Sequence, residues 1–370
     1  MQIKERCDVW QRMAECGKPI VLYGMGNGAD KILSEMERRG LQAAGVFASD
    51  GFVRGHSFHG MRVMSYTEAC ERFEDMLIVI AFASSLPDVL ARFDTMDARY
   101  ETVAPDVPVS GSTYFTWEWF CAHRALLEEA CALLADEESR RIFEALVNYK
   151  LSGKLCYLRE AVSDEREVTN AFVKPETVAA YMDLGAYNGD TVRKMLDAAP
   201  GLKTVYAMEP DARNFRKLSQ YAQQEERAAV SVYPYAAWSK REDLVFCAEG
   251  NRNSTARDHV SSGVPLRQAK ERIVAAEAPD TILNGAAVDF IKYDVEGAER
   301  EALLGTSVTL RQYAPTLLVS LYHRTEDLYD LPLLVHQLQP RYALYLRRFS
   351  YVPAWDINLY CVGGIKEYES

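Results

Sequence analysis

Strands alternating with helices along most of the chain predict an α/β protein whose sheets are largely parallel. Three stretches carry that reading. Ile20-Val21-Leu22-Tyr23 is a short apolar run, followed by the glycine turn Gly24-Met25-Gly26-Asn27-Gly28-Ala29. Ile32, Leu33, Met36 and Leu41 then recur at helical spacing. Tyr181 to Thr191 has a similar layout: an apolar entry, Asp183, the turn Gly185-Ala186-Tyr187-Asn188-Gly189, then Val192, Met195 and Leu196 on one helical face. The third is the apolar run Thr204 to Met208, ending in Glu209-Pro210-Asp211.

Taken in order, residues 1–108 read as a small Rossmann-like α/β domain. A strand at Ala43 to Ala48 ends in Ser49-Asp50, a loop carries Gly51, Gly55 and Gly60, and Arg62-Val63-Met64 follows. A helix is expected near Thr67 to Phe73 and an apolar strand at Met76 to Ala83. Gly24-x-Gly26-x-x-Ala29 satisfies the alanine form of the dinucleotide fingerprint, and Asp50 falls where a ribose acid would sit. NAD or a nucleotide-sugar is compatible with this, but a structural or substrate-positioning role is the favoured reading of so short a unit.

Residues 109–175 read as a helical connector. Helices are expected at Trp117 to Ala135 and Glu138 to Lys150, with Ser152-Gly153 breaking the second and a short helix and loop within Leu155 to Lys174. The dense set Tyr114, Phe115, Trp117, Trp119 and Phe120 fits a helix docking its aromatic face on a core better than a stack for a sugar or base.

Residues 176–370 read as a fuller α/β domain. Strands are expected at 180–184, 204–208, 230–235, 288–293, 315–321, 342–347 and 357–362, with an added strand at Leu244 to Cys247. Helices are expected at 189–198, 211–226, 264–276, 297–304 and 327–338. The glycine turn after Asp183 lets a ligand approach the backbone and meet the free N–H groups of a helix. Glu209, at the end of the next strand, suits a ribose diol, because one carboxylate can accept from two neighbouring hydroxyls. A cap on the helix near Asp211 is its bland alternative. Arg252, Asn253, Ser254 and Thr255 read as a solvated polar loop before they read as acceptor contacts.

The 370 residues suit two domains better than one; 48% hydrophobic and 26% charged residues are ordinary for a globular chain. A net charge of −11 argues against a general nucleic-acid binder. No apolar run approaches the ~20 residues of a membrane span. The N-terminus is charged and amphipathic, unlike a signal peptide. Eight scattered cysteines make no C-x-x-C pair, as expected for free thiols in a reducing compartment. A cytoplasmic protein with no membrane or nucleic-acid partner is expected; a homo-oligomer is left open.

Two motifs in order carry a family resemblance. Met182 to Thr191 (MDLGAYNGDT) looks like the first motif of class I S-adenosylmethionine-dependent methyltransferases. Asp289-Phe290-Ile291-Lys292-Tyr293-Asp294-Val295-Glu296-Gly297-Ala298-Glu299 resembles the D-x-x-K-x-D-V-E-G-x-E signature of the FkbM family of methyltransferases. Tyr322 to Asp327 and Tyr342 to Arg348 are similar to that family's C-terminal pattern. The resemblance covers roughly 175–365 and implies a class I methyltransferase sheet of seven strands, with S-adenosyl-L-methionine at the carboxyl ends of its strands. It implies that Gly185 with its neighbours Asp183 and Ala186 lines the methionine part, that Glu209 holds the ribose, that Ala236, Ala237 and Trp238 follow the third strand where the adenine edge is met, and that Tyr187, Gly189 and Pro210 also belong to the cofactor site. No acid stands there in this chain, so adenine contacts fall to backbone and apolar groups.

Asp294, Glu296 and His323 are the chemical candidates. A hydroxyl acceptor needs a base or a metal to become nucleophilic. His323 or Asp294 is the expected base, with the other orienting it. Two carboxylates and a histidine can also hold a divalent cation, but a metal-free site is favoured. The expected activity is S-adenosylmethionine-dependent O-methylation of a small molecule, a saccharide or secondary metabolite, including an acceptor carried on a nucleotide. The rival readings are an inactive nucleotide-binding regulatory or scaffold protein, and an NAD-dependent oxidoreductase built on the first glycine turn.

Overall fold

The computed structural model describes residues 1–53, 55–248, 254–256 and 270–363. In the N-terminal unit the order is α1 (Val9–Glu15), β1 (Ile20–Tyr23), α2 (Asn27–Arg38), β2 (Gly45–Ala48), β3 (Ser57–Phe58), β4 (Met61–Ser65), α3 (Tyr66–Arg72), β5 (Leu77–Ile80), α4 (Pro87–Asp97) and β6 (Glu101–Val103). They form a six-stranded sheet in the order β3-β4-β2-β1-β5-β6, parallel except for β3. Strands β1, β2 and β5 are buried along their whole length, which is why they are continuous apolar runs and not alternating ones.

The glycine turn after β1 serves close packing. A Cβ on Gly28 would stand 2.6 Å from the Ala81 carbonyl oxygen, and one on Gly24 would stand 2.7 Å from the Phe82 ring. Helix α2 is thereby drawn against the chain leaving β5. Helices α1 and α4 were not foreseen, although both carry start signals. Asp8 and Gln11 form a capping box on α1, and Pro87 occupies the first turn of α4.

The connector consists of α5 (Trp117–Leu133), α6 (Glu137–Ser152), α7 (Leu155–Glu160) and α8 (Glu165–Val168). Phe115 and Phe120 are buried, in keeping with an aromatic face docked on a core. Lys150 meets Asp106 at 2.7 Å, both almost fully buried, joining α6 to the chain that leaves β6.

The C-terminal unit runs β7 (Ala180–Leu184), α9 (Asp190–Ala198), β8 (Thr204–Met208), α10 (Ala212–Gln224), β9 (Ala229–Tyr233), β10 (Ala236–Ala237), β11 (Glu242–Ala248), β12 (Ser254–Ala256), β13 (Lys270–Glu277), α11 (Pro279–Leu283), β14 (Phe290–Tyr293), α12 (Glu299–Gly305), α13 (Ser307–Tyr313), β15 (Thr316–Ser320), α14 (Asp327–Leu338), β16 (Tyr342–Arg348) and β17 (Ile357–Gly363). Seven strands order as β16-β17-β15-β14-β7-β8-β9. Only β17 runs against its neighbours. The chain reverses its winding between β7 and β14, so the carboxyl ends of those two strands form the crevice in which open α/β sheets take ligands.

Two elements correct the sequence reading. The helix expected at 264–276 is contradicted over 270–276, where β13 pairs antiparallel with β11 and parallel with β10; residues 264–269 lie outside the described residues. Val274-Ala275-Ala276 is too short to separate the two periods, and the distant partner β11 decided the outcome. Arg252 and Asn253 also lie outside the described residues, whereas Ser254 and Thr255, expected in a solvated loop, belong to β12, paired antiparallel with β11.

One buried apolar cluster includes Val21 and Phe47 of the first sheet, Phe143 and Leu146 of α6, and Ile291 and Leu317 of the large sheet. The three units therefore share a core. Among the described residues no helix is long and apolar enough to cross a membrane, and Cys7, Cys16, Cys70, Cys121, Cys131, Cys156 and Cys361 are free thiols.

Candidate active site

The turn after β7 is built by two glycines in left-handed backbone. Gly185 has φ +86°, and a Cβ there would lie 2.0 Å from the Asp294 carbonyl oxygen. The Gly185 and Ala186 N–H groups both donate to the Met208 carbonyl at 3.0 Å, stitching the turn to β8. Gly189, with φ +86°, opens α9. Asp183 is fully buried; its Oδ2 accepts from the Thr191 hydroxyl, and its Oδ1 has no hydrogen-bond partner among the described residues.

Glu209 is 6% exposed. Its two oxygens accept the Tyr187 and Asp211 N–H groups, each at 2.8 Å. Burial pushes its carboxyl up to about 7, against the pull of those two donors, with the Asp211 and Asp183 charges adding to the rise. Asp211, not Glu209, caps α10, accepting from Arg213 and Asn214.

A cavity of about 390 Å³ lies over these strand ends. Gly185, Tyr187, Glu209 and Pro210 line one side, and Lys292, Asp294 and Glu296 close one end. Ala237 and Trp238 form an apolar wall with Leu244, Ile273 and Val274 from the β11–β13 flap. Asp183, Ala186, Gly189 and His323 stand behind this lining rather than in it.

Asp294, Glu296 and His323 lie together. His323 Nε2 is 3.6 Å from both Asp294 Oδ1 and Glu296 Oε2, and its Nδ1 is 2.8 Å from Glu299 Oε1. The Nδ1–Glu299 approach is an ion pair and not an aligned hydrogen bond, since Glu299 Oε1 accepts from the Val295 N–H while His323 Nδ1 and Glu299 Oε2 lack aligned partners. Lys292 Nζ sits 3.2 Å from Asp294 Oδ2 and 3.5 Å from Asp183 Oδ1. The Ser320 and Tyr322 hydroxyls each donate to Asp294 Oδ1 at 3.1 Å.

The charges divide the roles. Burial opposes the His323 cation, but Glu299, then Glu296 and Asp294, hold its imidazolium to about 10. Burial likewise opposes the Asp294 anion, yet Lys292 and His323 bring it down to about 2. Lys292 is held above its usual value because Asp294 and Asp183 outweigh the cost of burying it. Glu296 goes the other way: burial raises it to about 7, opposed by His323 and aided by the nearby carboxylates. At neutral pH the first three are therefore charged, and Glu296 titrates.

Backbone geometry fixes where Glu296 points. It has φ +55° and Gly297 has φ +97°. Two successive left-handed residues make a tight turn that only a well-supported site sustains. A Cβ on Gly297 would lie 2.7 Å from the Ser110 side chain, and the Ser110 N–H donates to the His323 carbonyl at 2.8 Å. The chain entering the connector thus braces the turn from behind. Ligand atoms of Asp294, Glu299 and His323 lie within 4.8 Å of one another, close enough for a divalent ion; the Lys292 and His323 cations already balance these acids.

The sheet order and the crevice define a class I methyltransferase fold. Residues 183–348 match the model of the methyltransferase FkbM domain, so the C-terminal half carries a methyltransferase domain of FkbM type. The methyltransferase FkbM of Methylobacillus flagellatus KT is similar over nearly the whole chain: 19% identity, 95% of this chain and 92% of that one covered, TM-score 0.69. The shared fold therefore extends to the N-terminal sheet. Aeropyrum pernix fibrillarin, solved with bound S-adenosyl-L-methionine, is similar at 13% identity over 50% of this chain and 66% of its own, TM-score 0.32. No curated protein matches the chain.

Sequence reasoning passed over Lys292, Glu299 and Tyr322 as working parts of the site. Lys292 and Glu299 stand inside the quoted signature, and the alternation along β14 puts Lys292 on the same face as Phe290 and Asp294. Ile273 and Val274 had no such signal, because β13 was read as a helix, and Leu244 was read only as part of an added strand.

Proposed function

We propose that the chain is an S-adenosylmethionine-dependent methyltransferase acting on a hydroxyl of a small molecule, a saccharide or secondary metabolite. The observation that supports it is one continuous cavity joining a buried carboxylate with spare acceptor positions to a charged cluster with a titrating acid. The residues suit the cofactor. Each Glu209 oxygen accepts one backbone N–H, leaving a lone pair on each for a ribose diol. The glycine turn leaves room for the methionine part, and Ala237, Trp238, Leu244 and Val274 offer the apolar wall an adenine needs.

When bound, the cofactor supplies a methyl group on a sulfonium; the acceptor oxygen takes the methyl as the carbon–sulfur bond breaks and its electron pair stays on sulfur. The protein's part is to orient the acceptor and take its proton. Glu296 is the base in this reading, receiving the hydroxyl proton on its carboxylate. His323, already an imidazolium, cannot accept a proton, so its part is to hold Asp294 and Glu296 in place. Asp294 is too weak a base and instead orients the acceptor hydroxyl. This revises the expectation of His323 or Asp294 as base.

Calorimetric titration with S-adenosylhomocysteine tests the cofactor. Saturable binding is expected, weakened about 100-fold or more in Glu209→Ala, the size of two hydrogen bonds to a charged group. Binding of NAD or a UDP-sugar in place of S-adenosylhomocysteine would sink the reading. Ribose hydroxyls donate to the ionised Glu209, so binding near pH 7 should release up to about half a proton. Titrations in buffers of differing ionisation heat read that release, and Glu209→Gln should abolish it. Because Lys292 and His323 balance the acids, chelator-treated enzyme is expected to keep its activity. Activity that returns only with added Mg²⁺ or Mn²⁺ would give Asp294, Glu299 and His323 to a metal instead.

A further inference from the structure

The cofactor cavity covers the carboxyl ends of β7, β8 and β14. The other flank of β14 belongs to β15 and β17, and there the chain builds something the methyl donor does not use. Because β17 runs antiparallel, its start lies beside the end of β15; Leu321 N–H donates to the Ile357 carbonyl at 2.9 Å. Tyr322 leaves β15 and Trp355 leads into β17, so their side chains meet at that edge. The Tyr322 and Trp355 rings are 6.4 Å apart and inclined by 29°, and Tyr351 lies 5.6 Å from Trp355 at 33°. All three are half-buried. Their place beside the reacting groups is fixed, since the Tyr322 hydroxyl donates to Asp294 Oδ1.

The opposite wall comes from the N-terminal unit. Ser84 and Val352 exchange both backbone hydrogen bonds, Ser84 N–H to Val352 carbonyl at 2.8 Å and the return at 3.0 Å. The loop leaving β5 is thereby seated on the loop that carries Tyr351 and Trp355. Two residues on, Leu86 is 60% exposed, a large apolar side chain left open beside this junction.

We propose that the methyl acceptor binds in this junction, its ring lying on the Tyr322–Tyr351–Trp355 shelf, with the Ser84–Leu86 loop as the far wall. Partly exposed aromatic faces suit a ring that offers C–H bonds on its face. The carboxylates of Asp294 and Glu296 at the shelf's inner edge suit hydroxyls on that ring's rim. A cyclic polyol, that is, a saccharide, has both, and small-ligand sites are frequent where two units meet. The N-terminal unit would then act in acceptor recognition without a nucleotide in its own glycine turn. The inference rests on the methyltransferase reading.

The test uses the full chain with saturating S-adenosylhomocysteine for binding and labelled S-adenosylmethionine for turnover. The probes are methyl α-D-glucoside, methyl α-L-fucoside, methyl α-L-rhamnoside and, as a flat control, catechol. At least one glycoside should bind by saturation-transfer NMR and accept methyl. Trp355→Ala should then raise its KM about 10-fold, the size of a lost stacked aromatic contact, with kcat changed far less. Trp355→Phe should largely restore it, and Leu86→Asp should raise KM from the other wall. An unchanged KM in Trp355→Ala and Leu86→Asp overturns the location. Binding of catechol alone, or of no probe, overturns the ligand class. Loss of S-adenosylhomocysteine binding by the wild type is a failure of the methyltransferase reading and is scored separately.

Discussion

Glu296→Gln is expected to lower kcat by about 10²–10⁴-fold, the usual contribution of a positioned base, while S-adenosylhomocysteine binds as before. Glutamine keeps the size of the side chain and the left-handed turn but accepts no proton. The wild-type pH profile should carry the same residue's signature. With the carboxyl raised to about 7, the active, ionised form grows as pH rises, so kcat climbs roughly tenfold per unit below 7 and then levels. A fall is then expected near 10, where His323 loses the proton that its acidic neighbours hold. In Glu296→Gln the lower limb should vanish. A variant that keeps both its rate and the limb at 7 would remove Glu296 as base.

Lys292→Met should be the most destabilising single change in the site. Removing one partner of a buried ion pair leaves an uncompensated charge and costs about 3–5 kcal/mol. Here two carboxylates, of Asp183 and Asp294, lose their cation. The pH dependence has a definite sign. Asp294 is depressed to about 2, so its pairing stabilises the fold above its unfolded value near 4 and is lost as pH falls through 2. The variant lacks most of that term, so its deficit against the wild type should be full at neutral pH and shrink below about pH 4. Denaturant melts at pH 7 and pH 3 check this; an equal deficit at both would mean that Lys292 contributes packing and not charge.

Much of the scaffold was legible because its signals are local. Each β-α crossover in the large sheet has an apolar strand, a turn and an amphipathic helix within a few residues, and the periods differ enough to tell apart. Tyr181 to Thr191 and Asp289 to Glu299 even marked which strand ends meet. What escaped depended on partners far away. The strand at Lys270–Glu277 is fixed by pairing with Glu242–Ala248, and no window around 270 contains that information. The division of labour proposed for Asp294, Glu296 and His323 was hidden for the same reason. It turns on Glu299 and Lys292, whose carboxylate and ammonium balance the charges in three dimensions. Of Asp294 and Glu296, the one that burial leaves harder to ionise is the one proposed to take the proton.

The contact of Gly297 with Ser110 has a consequence for descent and for engineering. The Glu296-Gly297 turn lacks a side chain at 297 because Ser110, at the start of the connector, fills that space. The two positions therefore constrain each other like a lock whose bolt and plate were cut together. A chimera that grafts this methyltransferase half onto a foreign front half inherits the missing Cβ without the group that fills it. Crossovers placed between 110 and 297 should yield folded but poorly active hybrids, and among relatives the residues at these two positions should change as a pair.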